Sequence, residues 1–172
     1  GDWYYAPGFT YNSGMMIRYI IEAIARDGNA ALCISILPDG SLNEDSKKML
    51  KEVGAWMRRN GEAVYGSHAW TIPGEGELVD GKLKMLPRGK LGDRHANFKF
   101  SSQDFRFTIG KNGALYVFCM TIPSPGTLLK IKSLGTDKKY RSQPVQTVKL
   151  LGFDGELQWR QEAEGLAITC PA

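Results

Sequence analysis

DGSLNEDSKKMLKEVGAWMRRNGEAVYGSHAW, residues 39–70, joins two textures of sequence. It reads as a turn, an amphipathic helix, a tight stop and entry into an extended segment. Ser41 or Asn43 can cap the helix, and Ser41 with Glu44 has capping-box spacing. Glu44 and Asp45 put negative charge on the first turn, where the helix dipole favours it. Met49, Leu50, Val53, Trp56 and Met57 form one apolar stripe. That stripe is read as core packing. Lys47, Lys48, Lys51, Glu52, Arg58 and Arg59 fall mainly on the opposite face. Asn60-Gly61 then supplies a left-handed stop.

Before this joint, residues 13–26 predict a second helix, capped by Ser13. Met16, Ile17, Ile20, Ile21 and Ile24 give it a wide apolar face. Arg18, Glu22 and Arg26 line one polar strip at ion-pair spacing. Asp27-Gly28-Asn29 ends the helix. Residues 30–37, AALCISIL, form an unbroken apolar run of strand length. Such a run suits a strand covered on both faces, as in a parallel sheet. The order loop, helix, buried strand, helix is the tail of a βα repeat. One strand makes no parallel sheet, so this portion reads as incomplete. Upstream, residues 1–11 crowd Trp3, Tyr4, Tyr5, Phe9 and Tyr11 around Pro7-Gly8. They read as a packed loop whose flat rings could equally line a sugar site.

After Trp70 the texture turns to short strands. Residues 71–94 are rich in Gly, Pro and charge, with an extended piece at 82–86. Strands are expected at 97–100, 104–109, 114–122, 128–131, 145–151, 157–160 and 166–170. Phe105, Phe107 and Ile109 share a face, and Asn112-Gly113 is a hairpin turn. Short strands with regular turns point to an antiparallel sandwich. The expected division is therefore 1–70 and 71–172.

Composition narrows the function. The chain has 172 residues, 42% apolar, with net charge +4. Its basic residues are scattered, which argues against a nucleic-acid surface. Lys138-Lys139-Tyr140-Arg141 is read as an exposed loop. No apolar run reaches the ~18 residues of a membrane helix. The three cysteines, Cys33, Cys119 and Cys170, match no zinc spacing and are read as small buried hydrophobes. Neither a metal nor another cofactor is expected. Among carboxylates, Glu62, Glu75, Glu77 and Asp80 lack a reason to be held as a catalytic pair, and His68 and His95 are isolated. Gly74-Glu75-Gly76 and residues 110–113 join no strand to a helix start, so neither is a phosphate loop.

The motifs in order are Asp27-Gly28-Asn29, Asp39-Gly40-Ser41-Leu42, Val53-Gly54-Ala55-Trp56 and Asn60-Gly61-Glu62-Ala63-Val64-Tyr65-Gly66. Asp104-Phe105-Arg106-Phe107-Thr108, Val148-Lys149-Leu150-Leu151-Gly152, Leu157-Gln158-Trp159 and Gly165-Leu166-Ala167-Ile168-Thr169 follow. Together they are similar to the C-terminal part of a glycoside hydrolase family 29 α-L-fucosidase, over nearly the whole chain. The resemblance implies an α+β fold: the last βα elements of a (β/α)8-like barrel, then an antiparallel β-sandwich. It implies retaining hydrolysis of terminal α-L-fucosides by the whole enzyme, with an Asp nucleophile and a Glu acid/base. Neither carboxylate maps onto this chain, which alone should be inactive and mainly structural.

Trp3-Tyr4-Tyr5 resembles the family's Trp-Gly-Tyr loop near the sugar pocket, with Tyr4 in place of glycine. Trp3 and Tyr4 are thus the candidate substrate-binding residues. Where the family reads Leu-Asn-Ile-Gly-Pro, this chain has Leu32-Cys33-Ile34-Ser35-Ile36 at a strand end facing the active site, so a changed or lost activity is an open outcome. The resemblance also implies fucosylated glycans as partners through the whole enzyme, and a periplasmic or secreted location. Exposed Ile, Met and Trp on the two helices would drive dimerisation or repacking. The alternative is a free-standing carbohydrate-binding or interaction sandwich, which would need an exposed aromatic such as Trp70 or Trp159. The alternation of Leu157 and Trp159 favours burial instead.

Overall fold

The computed structural model describes residues 5, 7, 11–76, 100–137, 140 and 143–172. Its first element, α1, is Ser13–Ile24. Asn12, not Ser13, caps it: the Asn12 side chain accepts from the Met15 amide at 3.3 Å. The Ser13 hydroxyl instead donates to Glu52 of the second helix at 2.5 Å. α1 ends with its apolar pattern at Ile24, two residues before the expected end at Arg26. Asp27 takes a left-handed conformation (φ 61°), and the Gly28 amide folds back onto the Ala23 carbonyl at 2.9 Å.

Residues 30–37 form no strand ladder. Leu32 and Ile34 pack on the helices, while Cys33 and Ile36 are exposed. A strand meant for cover on both faces needs neighbours, and none lies beside this one among the described residues.

The second helix, α2, is Glu44–Asn60. Asn43 caps it, accepting from the Ser46 amide at 2.7 Å. Ser41 is held elsewhere: both its amide (2.9 Å) and its hydroxyl (2.7 Å) donate to the Asp39 carboxylate. Those two bonds, the amide first, keep the Asp39 carboxyl below its ordinary pKa. The apolar stripe of α2 serves two partners. Met49, Leu50, Val53 and Met57 meet Met15 and Met16 of α1, whereas Trp56 turns towards the sheets.

The expected left-handed stop at Gly61 is displaced. Gly61 stays helical (φ −60°) and leads into a 3-10 turn, Gly61–Ala63. A Cβ there would meet the exposed Tyr65 ring at 2.8 Å, and the ring would have to shift. The left-handed residue is Gly66 (φ 65°).

Two three-stranded antiparallel sheets follow. The first has order β1 (His68–Glu75), β2 (Phe105–Ile109) and β3 (Leu115–Cys119). Trp70, the expected boundary between the halves, lies inside β1. The register of β1 shifts between Ala69 and Gly74, around Pro73, which has no amide to give a ladder. β2 and β3 form the expected hairpin, with Phe107 opposite Val117 and Gly113 at φ 76° in the turn. The second sheet has order β4 (Leu128–Ile131), β6 (Gly165–Thr169) and β5 (Trp159–Glu162).

Residues 145–151 were expected as a strand and are not one. Val145 and Val148 still pack on the sandwich core, but the Val145 amide donates to the Gln161 side chain at 2.9 Å rather than to a neighbouring strand. The pieces expected at 82–86 and 97–99 lie outside the described residues.

The sheets close on Phe105, Phe107, Ile131, Leu134 and Leu166. The first sheet also has cover on its other face, where Ile21, Ala63, Phe118 and Met120 meet between helices and strands. The order of layers is thus helices, sheet, sheet. β2 lies in the middle, with four of its five residues buried.

Candidate functional site

Of the tempting carboxylates Glu62, Glu75, Glu77 and Asp80, Glu75 has structural work. Glu75, at the end of β1, reaches across to the turn after β4. Its two oxygens accept from the Lys132 and Ser133 amides at 2.6 and 2.7 Å. Asp104 is 2% exposed and accepts from the Ser101 amide and hydroxyl at 2.7 and 2.8 Å. Glu62 is exposed on the 3-10 turn after α2. Glu77 and Asp80 lie outside the described residues, as does His95, and His68 is exposed on β1. Among the described residues no three His, Cys, Asp or Glu side chains come together in a way that could hold a metal ion. No helix among them is long and apolar enough to cross a membrane.

Glu75 is a staple between the two sheets, and sequence reasoning missed it because its partners lie 57 and 58 residues away. Glu75→Gln removes the charge and points an amide NH2 at one of two backbone donors. The expected cost is about 1–3 kcal/mol, read as a shift of the denaturant midpoint with unchanged slope.

The aromatics that a binding platform would need are half-buried against the sandwich core. Trp70 stands edge-on to Phe107 at 5.1 Å and to Tyr140 at 5.9 Å. Trp159 packs on the same sandwich core. Of the basic run at 138–141, only Tyr140 is described.

Trp3 and Tyr4 lie outside the described residues. Tyr11 is described and packs with Met15, Met16, Leu32 and Ile34. Burial raises the Tyr11 pKa, and the nearby Cys33 thiol adds to the rise. Cys33 itself is exposed, against the expectation of a buried small hydrophobe. The reason is the open face of residues 30–37.

The other two cysteines are half-buried. Burial pushes the Cys119 thiol up, opposed by the Thr121 amide and supported by Cys170 and Asp104. A raised thiol pKa favours the folded state fully below the ordinary thiol value, and that contribution is lost as pH rises through the raised value. Cys33 should therefore be alkylated at least about tenfold faster than Cys119 at neutral pH, because reaction follows the accessible thiolate. Mass spectrometry of timed iodoacetamide reactions reads this ranking.

A buried polar joint ties the helices to the first sheet. Arg106 of β2 is fully enclosed, and Glu22 Oε1 accepts from its Nε at 2.8 Å and its Nη2 at 2.6 Å. The third donor, Nη1, goes to the Phe105 carbonyl at 2.8 Å. Glu22 also pairs with Arg26, one of the two neighbours anticipated from spacing. The other, Arg18, lies with its guanidinium 5.8 Å from the centre of the Phe100 ring. Thr108 donates to the Ala63 carbonyl at 2.9 Å, and the Ala69 amide donates to Asp27 at 3.1 Å. The available signal was polar residues alternating with phenylalanine in Phe105-Arg106-Phe107-Thr108, which reads as an outer face until a further layer is known.

Among the described residues, two helices thus stand against one of two three-stranded antiparallel sheets. Two family models match in chain order: α-L-fucosidase over residues 1–62, and the α-L-fucosidase C-terminal domain over residues 99–172. The chain belongs to the α-L-fucosidase family, glycoside hydrolase family 29, and matches the C-terminal part of its members.

Among curated relatives, the plasma alpha-L-fucosidase of Pongo abelii is 24% identical over 157 residues, covering 91% of this chain and 28% of that protein. The tissue alpha-L-fucosidase of Mus musculus is 25% identical over 157 residues, with the same coverage of 91% and 28%. The chain thus spans 28% of the length of these relatives.

Solved structures agree on the fold. An alpha-fucosidase of Thermotoga maritima with a mechanism-based inhibitor superposes with TM-score 0.67 at 21% identity, covering 99% of this chain and 33% of that one. Alpha-L-fucosidase isoenzyme 1 from Paenibacillus thiaminolyticus gives TM-score 0.64 at 20% identity, covering 99% and 34%. The fold class is the one expected: the last βα elements of a (β/α)8-like barrel followed by an antiparallel β-sandwich.

Proposed function

We propose that this chain serves a retaining α-L-fucosidase as the closing segment of its barrel and the sandwich that braces it. The observation that carries the reading is the pair of family matches in order, joined by a buried Arg106–Glu22 contact between the two halves. In this reading the chain is structural, and both catalytic carboxylates come from the rest of the enzyme. A retaining pair stands about 5 Å apart across one bond. Glu75 and Asp104 are committed to backbone amides and Glu62 is exposed, which supports this reading.

Trp3 and Tyr4 would line the sugar pocket, where flat rings can pack on the CH face of a fucosyl unit. Fucosylated glycans are the partners in this reading. A periplasmic or secreted location and self-association through the helix side are part of the same proposal. Self-association draws support from Ile36, 57% exposed beside the open run of residues 30–37.

The test compares two proteins. The protein expressed from its own gene should cleave an aryl α-L-fucoside with retention of configuration, and the 172-residue chain alone should not. Hydrolysis by the chain alone, or saturable quenching of its tryptophan fluorescence by L-fucose, would overturn the structural role. Light scattering on the chain alone reads the self-association, and a clean monomer would remove that part.

A further inference from the structure

The Asp104–Thr108 motif is not accounted for by sandwich packing alone. Phe105 and Phe107 enter the sandwich core, while Arg106 and Thr108 bond to the helical layer. A guanidinium shut away from water must find acceptors within the protein. Arg106 finds Glu22, 84 residues earlier, and lies 5.9 Å from the centre of the Phe100 ring.

The surrounding apolar cluster of Ile21, Ala63, Phe118 and Met120 already holds the two layers together. Apolar contact is non-directional and leaves the rotation and slide of α1 loosely fixed. A charge-assisted fork is directional, and arginine supplies it in a rigid plane. Two turns nearer its N-terminus, α1 carries Met15 and Met16, in a cluster on which Tyr11, Leu32 and Ile34 also pack. A continuous line of contact therefore runs from β2 through Glu22 and α1 to residues 30–37.

We propose that Arg106 is a positioning residue. Acting through Glu22, it fixes the lie of α1, and through α1 the placement of Tyr11 and residues 30–37. The effect on catalysis rests on the reading above, in which that side borders the fucoside pocket. A small tilt of α1 moves groups that would bind the sugar and not those that react with it, so it is read in KM rather than in kcat.

The experiment uses the protein expressed from its own gene and the variants Arg106→Met, Arg106→Lys and Glu22→Gln. Ile131→Ala, in the sandwich core, is the control for lost stability alone. Hydrogen exchange is followed in peptides covering residues 11–17 and 30–37, and kinetics with an aryl α-L-fucoside. Arg106→Met should speed exchange in both peptides and raise KM about tenfold while kcat stays within about threefold, the pattern of lost binding geometry. Arg106→Lys should recover part of both effects, and Glu22→Gln should give little further change once Arg106 is already Met. Ile131→Ala should move neither readout.

Unchanged exchange in Arg106→Met, or equal changes in Ile131→Ala, would overturn the proposal. If the unmodified protein cleaves no fucoside, the function reading falls, and exchange alone decides whether Arg106 positions α1. If Arg106→Met does not fold, Arg106→Lys and Glu22→Gln carry the same comparison.

Discussion

Glu22→Ala should lower the stability of the folded protein by about 3–5 kcal/mol, the range seen when one partner of a buried ion pair is removed. Three effects compete. Glu22 is mostly buried, but the change removes only one methylene beyond Cβ, about 0.8 kcal/mol. Loss of the Arg26 contact is smaller still, since Arg26 is 38% exposed and its pair is screened by solvent. Stranding the Arg106 guanidinium, with none of its surface open to water, dominates. Glu22→Gln keeps one acceptor and should cost less. Chemical denaturation of the three proteins orders them, and a loss below about 1 kcal/mol for Glu22→Ala would mean that water or another acceptor reaches Arg106.

Phe107→Ala is the second large effect. Phe107 is 0% exposed at the centre of the sandwich core, between β1 and β3. Truncation of a buried phenylalanine costs about 3–5 kcal/mol through lost transfer energy and the cavity left behind. The edge-on contact with Trp70 adds about 0.5–1.5 kcal/mol. Ile131→Val in the same core should cost only about 0.5–1.5 kcal/mol, which calibrates the comparison. Near-ultraviolet circular dichroism should lose signal in Phe107→Ala, because the Trp70 ring loses the edge contact that fixes it.

Helical order was legible in the residues where periodicity and dipole chemistry act locally. The stripe from Met49 to Met57 and the charges at both ends of α2 gave that helix with the right partners on its inner face. Caps were harder. Ser41 and Ser13 have good capping chemistry, yet Asp39 claims one and Glu52 the other. Those rivals stand two and 39 residues away, and no local pattern ranks them.

Residues 30–37 carry the composition of a buried strand, but a ladder needs neighbours that the described residues do not provide. Residues 145–151 show the reverse: their apolar side chains reach the core as expected, while Gln161 takes the place of a strand partner. The joint was hidden for another reason. Alternation in β2 marks two faces correctly, but it cannot say that the face bearing Arg106 and Thr108 is covered by helices. That depends on Glu22 and Ala63, 84 and 45 residues away.

The double cover of β2 also decides where this chain can be edited. A residue inserted within β2 would turn each later side chain to the opposite face, driving a guanidinium among phenylalanines and a phenyl ring against Glu22. Such a strand has no permissive side for a frame error to fall on. The β2–β3 hairpin tip is different: at Gly113 nothing lies within 4 Å of where a side chain would begin. An epitope tag or a labelling peptide belongs at that tip, where added length leaves the pairing of β2 with β3 untouched.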